Sequence, residues 1–390
     1  NYRVMRIDYD GGAFEMFAYD NEGNRIRATS SEGTATYEYD NRHRLTKETQ
    51  ANGTVLDYEY DNVGNKTKLT TSIDSNVSIE SYTYDVLNRL ITMVRNQQPF
   101  GTQVMLLKES IQLSYNAADL RTGITYNNGV TSTYNYDAIN RLESVIHQQV
   151  DTSVISSYSY SYDAMNNRIS ETDHAFNVIG YSYDKTYKLL DANDATGTTS
   201  YTYDGVGNRL TKTDSNIIFP EQYQYDAANR LLQVIKPDGS LVDYSYDNNG
   251  NIQTRTDNTG VNSYQYGPKD QLKQISLNAS VIADYQYDPR GRRVFRSDDK
   301  GIKHFIYDGH NPLADINANN PVPVLETIYA PLNGLDILAS RIDATGIATS
   351  EYYLRDGLNS VRQIIDNNGL VTASYDYQPY GAIKNSTGTT

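Results

Sequence analysis

The chain has 390 residues, 48 acidic against 34 basic side chains, a net charge of −14 and no cysteine. Without thiols there is no disulfide framework and no thiolate chemistry, and the acid excess argues against nucleic-acid binding, which needs a basic face to displace counterions. No run of about 18 apolar residues occurs, so no membrane span is expected. Asn1 is not an initiating residue and no charged-then-apolar leader follows it, so the chain reads as a piece of a longer polypeptide.

Along the chain one short pattern keeps returning. A Tyr-Asp pair ends at Asp20, Asp40, Asp61 and Asp85, with Asn116 standing in at the next unit. It continues at Asp137, Asp163, Asp184, Asp204, Asp226 and Asp247, is replaced by Gly267, and returns at Asp288 and Asp308. The usual step of about 21 residues accommodates two strands of about seven residues and two short turns. Longer steps contain Thr70–Ser81, Gln97–Ser110 and Val150–Ser157, which read as lengthened loops at the far end of a hairpin. In Tyr201-Thr202-Tyr203 both rings fall on one face of a strand, because side chains alternate. The segments are rich in Tyr, Thr, Val, Ile and Ser and carry no helical period, so almost no helix is expected. With 36 Tyr against 7 Phe and no Trp, the packed face should keep its hydroxyls on polar partners or water.

The residues after Asp specify a turn. Asp can accept from the backbone two residues on, and Gly or Asn three residues on tolerates positive φ. Gly23, Gly64, Gly207, Gly250 and Gly291 fill that slot in one set of units, and Asn88, Asn140 and Asn229 in the other. The two sets alternate, as Asp-x-x-Gly-Asn-Arg/Lys and Asp-x-x-Asn-Arg-Leu, so the physical unit is a pair of hairpins of roughly 42 residues. Counted this way the first turn is one residue longer. A bulge is expected to absorb that residue, so that Arg209 and Arg230 point alike. The Arg or Lys after each turn is expected beside the opening Asp.

Beyond Asp308 the rhythm changes. Pro312–Asp336 also contains Pro321, Pro323 and Pro331 and reads as a loop or edge crossing, because proline cannot donate to a central ladder. Strands are expected again at Ile337–Asp343, Thr349–Leu354, Val361–Asp366 and Val371–Tyr377, with a hairpin turn at Asn367-Asn368-Gly369. Asn385–Thr390 is small and polar and reads as a frayed terminus.

Tyr201-Thr202-Tyr203-Asp204-Gly205-Val206-Gly207-Asn208-Arg209-Leu210, restated throughout, resembles the YD repeat of the RHS family. That family includes the C components of bacterial Tc toxins, RHS polymorphic toxins and the shells of teneurins. Asp356–Gly369 and Tyr375–Gly381 resemble the start of the RHS-associated core, with Asn359 and Gln378 departing from the usual residues. The resemblance implies an all-β fold in which tandem β-hairpins form one continuous, spiralling sheet, part of a hollow shell. It divides the chain into a repeat array, 1–310, and the start of the core, 311–390. No self-cleavage residues are carried over, because the segment that bears them in toxin relatives is not in this chain.

The implied function is that of a non-enzymatic scaffold, secreted or at the cell surface, that encloses or delivers a C-terminal toxin. The alternative is an extracellular structural or adhesion protein that self-assembles. Implied partners are an enclosed polypeptide cargo or flanking repeats, self-association through open sheet edges, and a glycan or surface receptor. About 28 strands at about 4.8 Å make a ring about 43 Å across and a wall about 24 Å tall, roughly one turn of a spiral with two open edges.

The residues offer little chemistry. His43, His147, His174, His304 and His310 have no metal-ligand spacing among them. Asp20–Asn24 and Asp247–Asn251 resemble fragments of calcium loops but lack the remaining acidic ligands. Gly205-Val206-Gly207 lies in a hairpin turn without a following helix. A carboxylate at nearly every turn is a structural repeat rather than an acid–base pair. Asn52-Gly53-Thr54 and Asn76-Val77-Ser78 are glycosylation sequons, meaningful only in a glycosylating host. No catalytic, metal or cofactor-binding residue is assigned, and the repeated tyrosines are read as cross-strand packing rather than sugar-stacking surfaces.

Overall fold

The computed structural model describes residues 3–73, 76–98, 107–319, 324–332, 335–342 and 348–388. Among them, 35 strands run in chain order, and the one helical piece is a single 3-10 turn, Asp10–Gly12. Neighbouring strands pair antiparallel in succession, from Arg6–Asp8 with Phe14–Tyr19 to Val371–Tyr377 with Ile383–Thr387. The result is one continuous ribbon of hairpins.

Each repeat turn is built the same way. In Asp204–Asn208, Gly207 N–H donates to Asp204 O at 3.2 Å and Asp204 N–H donates to Asn208 O at 2.9 Å. Asp226–Arg230 makes the same two bonds through Asn229 and Arg230. This is a three-residue loop whose last residue needs positive φ, and Gly207 and Asn229 adopt φ of 103° and 61°. Both turns therefore have one length, contrary to the expectation of an extra residue. What alternates is side-chain identity. Asn208 and Arg230 occupy the position four after Asp, while Arg209 and Leu231 follow, opposite Tyr203 and Tyr225. A register shift follows the turn in both units, so the bulge exists, but Arg209 and Arg230 do not point alike.

The Asp–Arg expectation holds in the asparagine set and at one turn of the glycine set. Arg89, Arg141 and Arg230 place Nε 2.7 Å from the carboxylates of Asp85, Asp137 and Asp226, and Arg292 of the glycine set places its Nε 2.6 Å from Asp288. In other glycine turns the amide of Asn takes that place: Asn208 Nδ2 donates to Asp204 Oδ2 at 2.8 Å. The following Arg209 lies over the Tyr223 ring, 4.3 Å from its centroid.

The same position explains why units alternate. Arg44 and Arg141 reach onward to the carbonyls of Asp61 and Asp163, at 2.8 and 3.1 Å. The shorter Asn65 and Asn208 reach the Asn88 and Asn229 side chains, both at 2.9 Å. Long and short side chains thus stitch each turn to the next. Tyrosine adds a second stitch: Tyr60, Tyr162, Tyr203 and Tyr377 donate their hydroxyls to the carbonyls of Leu45, Leu142, Leu189 and Val361, at 2.7–2.8 Å. Phenylalanine would leave these carbonyls unpaired, which accounts for the aromatic bias.

Three expectations are corrected. Lys66–Ile73 and Asn76–Tyr84 are long strands rather than strands with lengthened loops. The alternation that buries Leu69, Thr71 and Ile73 extends the sheet. Leu90–Gln98, Leu107–Tyr115 and Val154–Tyr162 lengthen likewise, and the rest of Gln97–Ser110 lies outside the described residues. Second, strands Asn311–Asn317 and Val324–Leu332 run through the proline-rich stretch, with Pro312 and Pro331 at register shifts where a ladder donor is dispensable. Pro321 and Pro323 lie outside the described residues. Third, Ile383–Thr387 is a strand rather than a frayed end, Ser374 pairing with Thr387. The remaining tail strands, Leu335–Ile342, Ala348–Arg355, Val361–Ile365 and Val371–Tyr377, fall within a residue or two of expectation.

Candidate functional site: the seam where the ribbon meets itself

Distant parts of the ribbon touch in one order. Glu15 meets Lys269, Glu48 meets Arg292, Tyr58 meets Asp308 and Arg95 meets the carbonyl of Ile328. Glu109 then meets Ser350, Glu171 meets Arg362 and Tyr203 meets Tyr380. Over the length of the chain the later residue rises with the earlier one, while neighbouring contacts can run the other way, as in Asp194–Lys384, Tyr203–Tyr380 and Lys212–Gln378. A sheet folded over as a sandwich would give the opposite order, so the ribbon winds past itself as a spiral. Tyr58 and Asp308 lie about 22 strand steps apart, or roughly 105 Å of ribbon at ~4.8 Å per step. Tyr203 and Tyr380 lie about 16 steps apart, roughly 77 Å. The chain therefore covers more than the single turn expected, and its second lap is tighter.

Repeat turns of the second lap lie against the tyrosine face of the first. Tyr58 donates to Asp308 Oδ1 at 3.0 Å and Lys66 to Oδ2 at 2.6 Å. Burial and the adjacent carboxylate hold the Tyr58 hydroxyl far above its usual range. Arg292 Nη2 donates to buried Glu48 at 2.9 Å, and Tyr160 accepts from the Gly357 N–H at 2.6 Å. The Gly357 turn sits so close to Tyr160 that a Cβ there would lie 2.7 Å from its ring. The interface is dry: one cluster joins Leu56, Leu69, Met93, Ile111 and Val145 of the first lap to Ile306, Leu313, Leu354 and Ile365 of the second.

The most deeply buried charges lie here. Arg95 is 0% exposed, donating to Glu80 at 3.0 Å and to Glu109 at 3.2 Å, while Ser350 of the second lap donates to Glu109. Tyr82 donates to Glu80. These are cross-strand neighbours, Glu80 and Glu109 each opposite Arg95. Buried ions need such pairing to offset desolvation.

This geometry, a ribbon of tyrosine-bearing hairpins winding over its own first lap, agrees with the comparison of sequences. A family model described as teneurin YD-shell matches residues 105–390, and an RHS-repeat model matches 19–55 and 39–77. The chain belongs to the teneurin YD-shell family. It is similar to the tRNA3(Ser)-specific nuclease WapA of Bacillus spizizenii, 28% identical over 223 residues, covering 57% of this chain and 8% of that protein. It is also similar to the tRNA nuclease WapA of Bacillus subtilis, 28% identical over 215 residues, covering 55% of this chain and 8% of that protein. The chain thus spans about 8% of the length of the curated relatives it matches. Among solved structures it is similar to TcdB2-TccC3-TEV, with a TM-score of 0.48, 13% identity, and coverage of 96% of this chain and 27% of that one.

Within the YD-shell chain the five histidines are scattered. His147 is buried at the seam, its Nδ1 2.7 Å from Ser132 Oγ and its Nε2 3.0 Å from Arg355 O. Burial pushes its pKa down to about 4, so the ring is neutral. Nε2–H donates to the carbonyl and Nδ1 accepts from the serine. His304 is half-buried against Phe295, His43 fills a positive-φ turn position, and His174 and His310 are exposed. Among the described residues no group of three His, Cys, Asp or Glu could hold a metal ion. The two calcium-loop fragments are occupied by their own turns: Asp20 Oδ1 accepts from Gly23 and Asn24 N–H, and Asp247 Oδ1 from Asn249 and Asn251 N–H. Gly205–Gly207 lies in a turn of the same kind. No helix among the described residues is long and apolar enough to cross a membrane.

Proposed function

We propose that this chain is a non-enzymatic wall segment of a secreted RHS-type shell that encloses or delivers a C-terminal toxin. Residues 1–310 serve as the repeat array and 311–390 as the start of the core segment. The observation that carries this reading is the ascending order of cross-lap contacts, from Glu15–Lys269 to Tyr203–Tyr380. A ribbon wound in this order stiffens with each lap, which suits a wall and serves no reaction. The names of the curated relatives, tRNA nucleases of which this chain matches about 8%, favour an effector lying elsewhere in the polypeptide.

The shell's partners on this reading are flanking repeats and an enclosed polypeptide. The partly exposed tyrosine face between Tyr244 and Tyr287 is the surface a cargo meets. Electron microscopy of the full-length protein, with protease protection of its C-terminal domain, tests the reading. Discrete particles with a protected C-terminal domain are expected. Long filaments, or a C-terminal domain digested as fast as the same domain made alone, would reject it. Filaments would instead favour a self-assembling surface protein. That reading draws on the two end strands, Arg6–Asp8 and Ile383–Thr387, each of which has one ladder partner among the described residues.

A further inference from the structure

A cavity of about 320 Å³ lies between the hairpins near residues 171–199 and the last strands of the second lap. It is within the size range of small-molecule sites. Glu171, Asp194, Asp376, Tyr181, Arg362 and Lys384 are among the side chains that line it. Two independent features distinguish it from a packing gap.

The first is the state of Arg362. Its residue is 9% exposed, and a guanidinium carries five N–H donors. Only the bond from Nη2 to Asp376, at 3.1 Å, has ordinary length. The contacts of Nη1 with Glu171 and Asp356 are stretched to 3.5 and 3.4 Å, and Nε–H has no acceptor. One face of the group is closed by Tyr158, 4.8 Å from the ring centroid. A buried guanidinium this poorly served is costly unless something else accepts from it.

The second is the mixture of groups around the cavity. Acceptors outnumber donors, and burial holds the Glu171 carboxyl above its usual range. Asp194 is already paired with Lys384 at 2.6 Å, which holds it down to about 2. An anion would satisfy Arg362 but would face five carboxylates, those of Glu171, Asp173, Asp194, Asp214 and Asp376. An organic cation would suit the carboxylates but leave the Arg362 donors unmet. A neutral polyol serves both: its hydroxyl oxygens accept from Arg362 and its hydroxyl protons go to Glu171 and Asp376. The rings of Tyr181 and Tyr377 also line the cavity; Arg168 lies over one face of Tyr181 and Tyr375 stacks on Tyr377, which leaves one face of each for the C–H side of a pyranose.

We propose that this inter-lap cavity is a saccharide-binding subsite with room for a mono- or disaccharide unit of a neutral glycan. The site exists only where the laps meet, so it reads the wound state of the wall.

The test is titration of the 390-residue chain with maltose, cellobiose and chitobiose, followed by calorimetry and saturation-transfer NMR. Spermidine and inorganic phosphate serve as charged controls. At least one disaccharide is expected to bind saturably. Asp376→Asn should weaken it about tenfold, the loss of one charge-assisted hydrogen bond. Thr199→Trp, which fills the cavity from a strand that tolerates aromatics, should abolish binding with the circular dichroism spectrum unchanged. Binding of spermidine or phosphate without any disaccharide would overturn the proposal. So would disaccharide binding that Asp376→Asn leaves intact, or no binding by any of the three sugars at millimolar concentration. Should Thr199→Trp fail to fold, Asp376→Asn decides alone.

Discussion

Two stretches of one ribbon, alike in backbone, face different surroundings. Between Leu56 and Tyr160 the tyrosine face is covered by the second lap, whereas between Tyr244 and Tyr287 it stays partly exposed. Part of the difference lies at one position, opposite the inner residue of each repeat strand. In the covered stretch this partner is Leu69 for Tyr58, Met93 for Tyr82, Ile124 for Leu113 and Val145 for Tyr134. In the open stretch it is Arg255, Ile275 and Arg296 for Tyr244, Tyr264 and Tyr285. Arg255 and Arg296 each pair with an aspartate two residues on, at 2.6 and 3.1 Å, within partly exposed surroundings. The tyrosine ladder is common to both stretches; apolar partners mostly accompany cover by the second lap and Arg255 and Arg296 accompany the open face, although Ile275 lies on the open face and Glu171, opposite Tyr160, is buried.

Exchanging matched residues between the stretches tests this division. Arg95→Met should cost about 3–5 kcal/mol in chemical denaturation, because two buried carboxylates lose their counter-ion. Arg255→Met, at a side chain 32% exposed, should cost less than about 1 kcal/mol. Equal costs would erase the distinction between dry and wet stretches.

Acid should strike the covered stretch next hardest. Buried His147 has its folded pKa lowered to about 4, below its unfolded value, so the unfolded chain binds the proton first. The stability this group contributes is complete above pH ~6.5 and falls as pH drops towards ~4, by about 3 kcal/mol in all. Ser132 and Arg355 O face the ring, and neither brings the negative charge that would hold an imidazolium. His147→Gln should flatten the denaturation midpoint between those pH values, while His304→Gln should alter it little. A slope unchanged by His147→Gln would remove the histidine from the account.

Hydroxyl deletion gives a finer contrast. Tyr58→Phe removes a donor to the Asp308 carboxylate and should cost about 1.5–3 kcal/mol. Tyr264→Phe, on the open face, should fall within about 0.5 kcal/mol of the parent. The smallest effect concerns the rim. Phe176 is largely exposed and held at φ 63°, where a side chain is strained, so Phe176→Gly should stabilise by up to about 1 kcal/mol in thermal unfolding.

Much of the wall could be read from the chain. Tyr-x-Tyr fixed the strand faces, and Gly207 and Asn229 marked the turn, because those signals act over a few residues. Counting from Arg misaligned the two repeat sets, since the positive-φ residue, and not the cation, sets the register. Proline misled at Pro312 and Pro331 because a bulge frees a position from donating. The seam and its cavity could not be read, because they join residues 166 to 257 positions apart, and curvature decides which of them meet. The Glu80–Arg95–Glu109 cluster did leave a trace: charged residues at inward positions on strands otherwise lined with Leu, Met and Ile.

The backbone ladders join strands adjacent in sequence, and the seam is made by side chains reaching carbonyls, carboxylates and rings. Winding can therefore begin before synthesis ends, each hairpin closing on its predecessor as it emerges. Pulled from both ends, such a wall would shed its seam first and then surrender hairpins one after another, without the ribbon having to melt as a whole.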